Sequence, residues 1–206
     1  MSWDIKIDHD DPQRHELYRA ERTVNWEKYG GTETLEELED VWLYVNRLMN
    51  RVNFEKRYPR THSLKAADKK KYKPSRQRPY GRNVYVIGEN RNGGKRGLRI
   101  NPGSGACAND TGMWLSKWGR QKWIIIHELA HVIDHIENGI PRHAWHTGHG
   151  WQFAAIYINL TRMAFGTDCK RELKQAFRDG SVRYLQPRGA KNQCPWDPHP
   201  DREWVT

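Results

Sequence analysis

The sequence predicts an α+β fold in which a small, mainly antiparallel sheet packs on one buried helix and the helix that follows it. Three observations carry this expectation. Residues 83–89 (NVYVIGE) and 97–101 (GLRIN) are β-rich runs around Asn92-Gly93-Gly94, the pattern of a hairpin with its turn. Trp123, Ile124, Ile125 and Ile126 lead into a helical segment over about 120–137 that stops at Asn138-Gly139, ahead of Pro141. Phe153, Ile156, Tyr157, Leu160 and Ala164 then share one face of a further helix, from near Gly148 to about Phe165.

The other elements follow in chain order. Residues 11–26 show weak helical spacing at Leu17, Tyr18 and Glu21, ended by Gly30-Gly31. A stronger helix spans about 35–53, with Leu35, Leu38, Val41, Trp42, Val45, Leu48, Met49 and Val52 as its apolar face. Thr34 and Glu37 have capping-box spacing at its start, and Glu36, Glu37 and Glu39 suit the positive end of its dipole. Residues 113–117 (MWLSK) read as a strand, either interior or an edge on which an extended peptide pairs. A short helix over 168–178 ends at Gly180, and 181–185 reads as a strand. The chain thus divides into an N-terminal helical region (1–54), a basic Pro-containing segment (55–82), a core (83–185) and an extended tail (186–206).

Composition bounds the function. A chain of 206 residues suits one domain with a substantial core, and ten tryptophans argue against disorder. Nearly all of the +10 net charge lies in 55–82, where 11 Lys or Arg face only Glu55 and Asp68. There, Lys69, Lys70, Lys71, Lys73, Arg76 and Arg78 alternate with Tyr72 and Tyr80, a pattern suited to non-specific nucleic-acid contact through phosphates and base stacking. Solvated loops carry such runs too. The charged N-terminus has no apolar signal core, and no run is long enough to span a membrane, so the expected setting is the cytoplasm, that of a host if a phage encodes the chain. Cys107, Cys169 and Cys194 are too widely spaced for a zinc ribbon.

Six of the ten histidines fall between His127 and His149. His127-Glu128-Leu129-Ala130-His131 fits H-E-x-x-H, which on a helix stacks two imidazoles on one face and sets the glutamate beside them. A catalytic zinc takes three protein ligands and leaves a position for water. His135 is two turns from His127, about 12 Å along the axis, and cannot share its ion. Asp134 and Glu137 occupy the positions where a long-spaced third-ligand pattern needs glycine and histidine, and no glutamate lies between Glu137 and Glu172. The third ligand is therefore sought among His143, His146 and His149. His149 is favoured, because it opens a helix whose N-terminus disfavours the imidazolium and is flanked by Gly148 and Gly150. Asp134 can orient a ligand ring or simply meet solvent, and His143, His146 and Tyr157 are candidates for stabilising an oxyanion. Trp145 and Trp151 flank the site.

HELAH followed by His149-Gly150-x-x-Phe153 resembles the SprT-like zinc metallopeptidases, over roughly 83–165. Asp11-Pro12-Gln13-Arg14, with Tyr18, Ala20 and Glu21, also resembles a group of metallohydrolases from actinobacteria and their phages. The resemblance implies a zincin-like fold, one zinc ion on His127, His131 and His149, and Glu128 as general base for hydrolysis of a peptide or protein substrate. The chain lacks the four-cysteine ribbon of many such relatives, so no DNA-linked role is carried over. Two other readings compete: a nucleic-acid-binding protein with a structural metal, and a zinc amidohydrolase acting on a non-protein amide.

Overall fold

The backbone amides of Lys122 and Trp123 donate to the carbonyls of Glu33 and Gly31, so a stretch near the N-terminus caps the helix that carries HELAH. This long-range pairing organises the computed structural model, which describes residues 11, 13–51, 54–58, 62–63, 83–89, 95–109, 112–138 and 148–184. The helices are α1 (Arg14–Glu21), α2 (Leu38–Met49), α3 (Phe54–Arg57), α4 (Lys122–Asn138) and α5 (Trp151–Asp179). The strands are β1 (His62–Ser63), β2 (Asn83–Glu89), β3 (Lys95–Pro102), β4 (Ala106–Ala108) and β5 (Gly112–Leu115). The α+β class is as predicted.

The sheet runs in the order β1-β2-β3-β5-β4. The expected hairpin is β2–β3, antiparallel from Asn83↔Arg99 to Glu89↔Lys95. The sheet is mixed, because β5 lies parallel to β3 and antiparallel to β4. After β3 the chain passes over the place β5 will fill, forms β4, and returns to insert β5 between them. Gly103 makes that crossing possible: a Cβ there would stand 3.0 Å from Trp114 backbone carbon. This decides between the two readings of MWLSK. Its strand is interior, and the edge belongs to β4.

One core joins the N-terminal helices, the sheet and the two long helices. Leu17, Val45, Met113, Ile125, Ile133, Phe153 and Phe177 are fully buried in the same cluster. Each such side chain contributes about 1.5–3 kcal/mol by leaving water. The second helix begins later than its capping-box spacing predicts, with Glu37 as N-cap and no side-chain cap. Tertiary pairing has displaced the local signal: Thr34 forms an isolated β-bridge with Gln121, and Leu35 N–H donates to Arg120 carbonyl.

Two predicted helices, around 148–165 and 168–178, meet in α5, whose regular backbone breaks at Gly166 (φ 91°, ψ −179°). The strand predicted over 181–185 is absent from the described residues. Val182 and Tyr184 bury their side chains, while Arg183 N–H donates to Gln13 Oε1 at 2.9 Å, so a side chain takes the place of a neighbouring strand. The turn at 92–94, the cationic cluster at 69–78, His143, Trp145, His146 and the tail 186–206 lie outside the described residues. Among the described residues, no helix is long and apolar enough to cross a membrane.

Candidate metal centre

Helix α4 enters the core through Ile124, Ile125 and Ile126 and continues through Leu129, Ala130, Val132 and Ile133, all buried. HELAH is therefore set on a helix held by packing on several sides. His127 and His131 project one turn apart, with ring centroids 5.0 Å from each other. His149 arrives from the opposite wall, one residue before Gly150, the N-cap of α5. Its Nε2 lies 3.2 Å from His131 Nε2 and 3.4 Å from His127 Nε2. One ring nitrogen from each of the three histidines falls within 4.8 Å of the others.

These separations test whether a metal fits. Two nitrogens bound at about 2.0–2.1 Å to a tetrahedral zinc stand about 3.3 Å apart. The two Nε2 separations bracket that value. His135, the continuation of the same stripe, lies outside the group, its ring 6.1 Å from that of His131.

The far side of two rings is also fixed. His127 Nδ1 meets Glu21 Oε1 at 2.6 Å, and His149 Nδ1 meets Asp11 Oδ2 at 2.5 Å. Carboxylates only accept hydrogen bonds, so each Nδ1 carries the proton and each Nε2 of the neutral ring presents a lone pair. Lone pairs 3.4 Å apart and aimed at one point need a cation, proton or metal, between them. Phe153, the aromatic of HGWQF, lies against all three rings, with centroids 5.0, 4.2 and 4.9 Å from His127, His131 and His149. Tyr18 packs on His127 and His149 from α1, at 5.7 and 5.0 Å. The rings thus have little freedom to turn.

Electrostatics separate the three histidines. Burial, followed by the charges of His127 and His149, pushes His131 well below its ordinary pKa. Burial also lowers His149, outweighing its hydrogen bond to Asp11. Burial acts in the same sense on His127, but the attraction and hydrogen bond of Glu21 together prevail and raise it. Glu128 is 5% exposed, and its Oε2 is buried with no hydrogen-bond partner among the described residues. Burial raises its carboxyl pKa, with His127 pulling the other way. A carboxylate kept beside the cluster and short of partners can exchange a proton with a bound molecule.

Tyr157, one of the candidates for an oxyanion role, lies in the core beside the cluster. It is fully buried against His127, and burial first, then the Glu21 carboxylate on the Nδ1 side of that ring, raises its pKa. Asp134 is buried on α4, and the carboxylates seen on His127 and His149 come from elsewhere, from Asp11 and Glu21. Sequence reasoning missed both. Their only signal was the Asp11-Pro12-Gln13-Arg14 and Glu21 likeness, which names residues without saying what they touch. Trp151 is half-buried at the start of α5.

No family model matches the chain, and no curated protein and no solved structure does. The likeness to SprT-like peptidases therefore rests on the residues quoted for it.

Proposed function

We propose that the chain is a zinc-dependent metallohydrolase that cleaves peptide bonds, with His127, His131 and His149 as ligands and Glu128 as general base. The observation that carries this reading is the convergence of three Nε2 atoms at zinc-ligand spacing beside a buried carboxylate whose Oε2 lacks a partner. When bound there, zinc supplies Lewis acidity: it lowers the pKa of water to about 7 and polarises a carbonyl.

The remaining work falls to the chain. Glu128 takes a proton from the attacking water and delivers it to the leaving amine, assistance worth roughly 10²–10⁴-fold. Burial raises its pKa, which strengthens it as a base. Asp11, Glu21 and Phe153 hold the imidazoles so that no ring reorients during the reaction. Strand β4 packs on α4, and its position at the sheet edge supports a peptide substrate, because an extended chain can add to such an edge. Cys107 on that strand lies within electrostatic reach of Glu128, which raises its thiol pKa behind partial desolvation as the main cause.

The test is metal analysis together with hydrolysis of a peptide panel by wild type and Glu128→Gln. The expected result is one zinc per chain in both, with turnover lost only in the variant. Equal turnover by the two proteins removes Glu128 from its role, and a wild type that takes up no zinc ends the reading.

A further inference from the structure

The segment that closes the site comes from the other end of the sequence. Asp11 grips His149 with both oxygens: Oδ2 on ring Nδ1 at 2.5 Å, and Oδ1 accepting from the His149 backbone N–H at 3.2 Å. Gln13 donates through Nε2 to the His149 carbonyl, so two side chains hold the backbone of that one residue. Gly148 gives Asp11 room, since a Cβ at that position would stand 3.3 Å from Oδ2. Ten residues further on, at the end of α1, Glu21 places Oε1 2.6 Å from His127 Nδ1. Glu21 is buried and Asp11 is largely shielded from solvent, and a carboxylate taken out of water is retained at a cost of several kcal/mol unless its partner compensates. Here each partner is a ring whose opposite nitrogen faces the shared centre.

We infer that Asp11 and Glu21 are positioning residues of the metal centre, fixing His149 and His127 as Nδ1–H tautomers whose Nε2 atoms bind metal. The inference rests on the proposed metal reading and deepens it. The two carboxylates raise the basicity of their rings, offset part of the charge of a divalent ion, and remove the cost of orienting the ligands when it binds. The N-terminal helix then belongs to the site. Hydrogen bonding of this kind is worth about 10–100-fold in metal affinity. His131 has the opposite character, a half-buried ring flanked by two others and aligned by Phe153.

The experiment measures zinc affinity by competition with a chromophoric chelator, and the visible absorption of the cobalt(II)-substituted protein, in five full-length chains. Wild type, Asp11→Asn, Glu21→Gln and Glu21→Ala report on the two contacts. Glu172→Gln is the control: Glu172 anchors the same N-terminal region through Asn25 N–H at 2.6 Å and Tyr29 hydroxyl at 2.7 Å, without touching a ligand ring. The expected result is a zinc dissociation constant raised about 10–100-fold in Asp11→Asn and Glu21→Gln, with a shifted cobalt spectrum, and no change in Glu172→Gln. Glu21→Ala should bind more weakly than Glu21→Gln. If it does not fold, the near-isosteric Gln variant carries the result. Wild-type affinity in both Asp11→Asn and Glu21→Gln overturns the inference while leaving the metal site standing, and so does an equal loss in Glu172→Gln. A wild type that binds neither metal defeats the underlying reading instead.

Discussion

Glu21 Oε1 and His127 Nδ1 meet at 2.6 Å across a sequence separation of 106 residues, and both side chains are almost wholly buried. A buried histidine facing a carboxylate can be a plain ion pair or the outer half of a metal ligand. The nitrogen on the other side of the ring separates the two cases. Here it points at two further imidazole nitrogens, one of them His149 Nε2 at 3.4 Å, so the pair belongs to a larger centre.

Removing one ligand should remove the ion. His131→Ala is expected to retain no stoichiometric zinc after dialysis, and His149→Ala to bind far more weakly than wild type. Elemental analysis of the purified proteins checks both. Full occupancy in His149→Ala would return the third-ligand role to His143 or His146.

Zinc should also stabilise the fold. At a free concentration 1,000 times the dissociation constant, a ligand that binds only the native state adds about 4.1 kcal/mol. For a domain of this size the melting temperature should rise by several degrees, and a chelator should reverse the rise. Calorimetry with and without metal measures it, and an unchanged transition in saturating zinc would contradict a site formed on folding.

The metal-free chain should weaken in acid. His131 and His149 have folded pKa values below the ordinary one, so the unfolded chain takes up their protons first as pH falls. Stability from these two is fully present above about pH 6.5 and is lost as pH drops through their folded values. His127 has the opposite sign: its contribution is present below about pH 6.5 and disappears as pH rises through its raised folded value. Glu128, its carboxyl raised by burial, acts in the same sense as His127, but His131, well below its ordinary value, is expected to dominate, so the urea midpoint should fall from about pH 7 to pH 5. His131→Ala should flatten that decline. A wild-type midpoint independent of pH over this range would count against the burial of neutral rings.

Gly166 offers a test independent of metal. Its φ of 91° with ψ of −179° is a conformation that side chains rarely adopt, while a Cβ there would meet nothing within 4 Å. Gly166→Ala should therefore cost about 1–3 kcal/mol through backbone strain alone. Denaturant unfolding measures this. Undiminished stability would show that α5 can straighten.

Much of the site could be read from residue order because its chemistry is local. His127, Glu128 and His131 are fixed by helical spacing, and His149 by its place at the mouth of the next helix. The hairpin was legible in the same way, from alternation and turn residues. The parallel placement of β5 was not, since strand order depends on how the chain crosses itself at Gly103 and leaves no periodic trace. Thr34 and Glu37 show a local signal yielding to a distant one: the capping-box spacing is present, but pairing with Gln121 takes the backbone elsewhere. Asp11 and Glu21 were unreadable for a related reason. Any exposed helix carries such acids, and only the docking of α1 gives these two their partners.

The wide scattering of the site along the chain bears on its biosynthesis. A polypeptide still being translated holds Asp11 and Glu21 from the start but has nothing for them to grip, and the HELAH turn alone offers two nitrogens. The third arrives only with position 149, so every prematurely terminated product that stops short of it is without a complete centre. Whatever chemistry the proposed centre supports is thereby withheld until most of the chain exists.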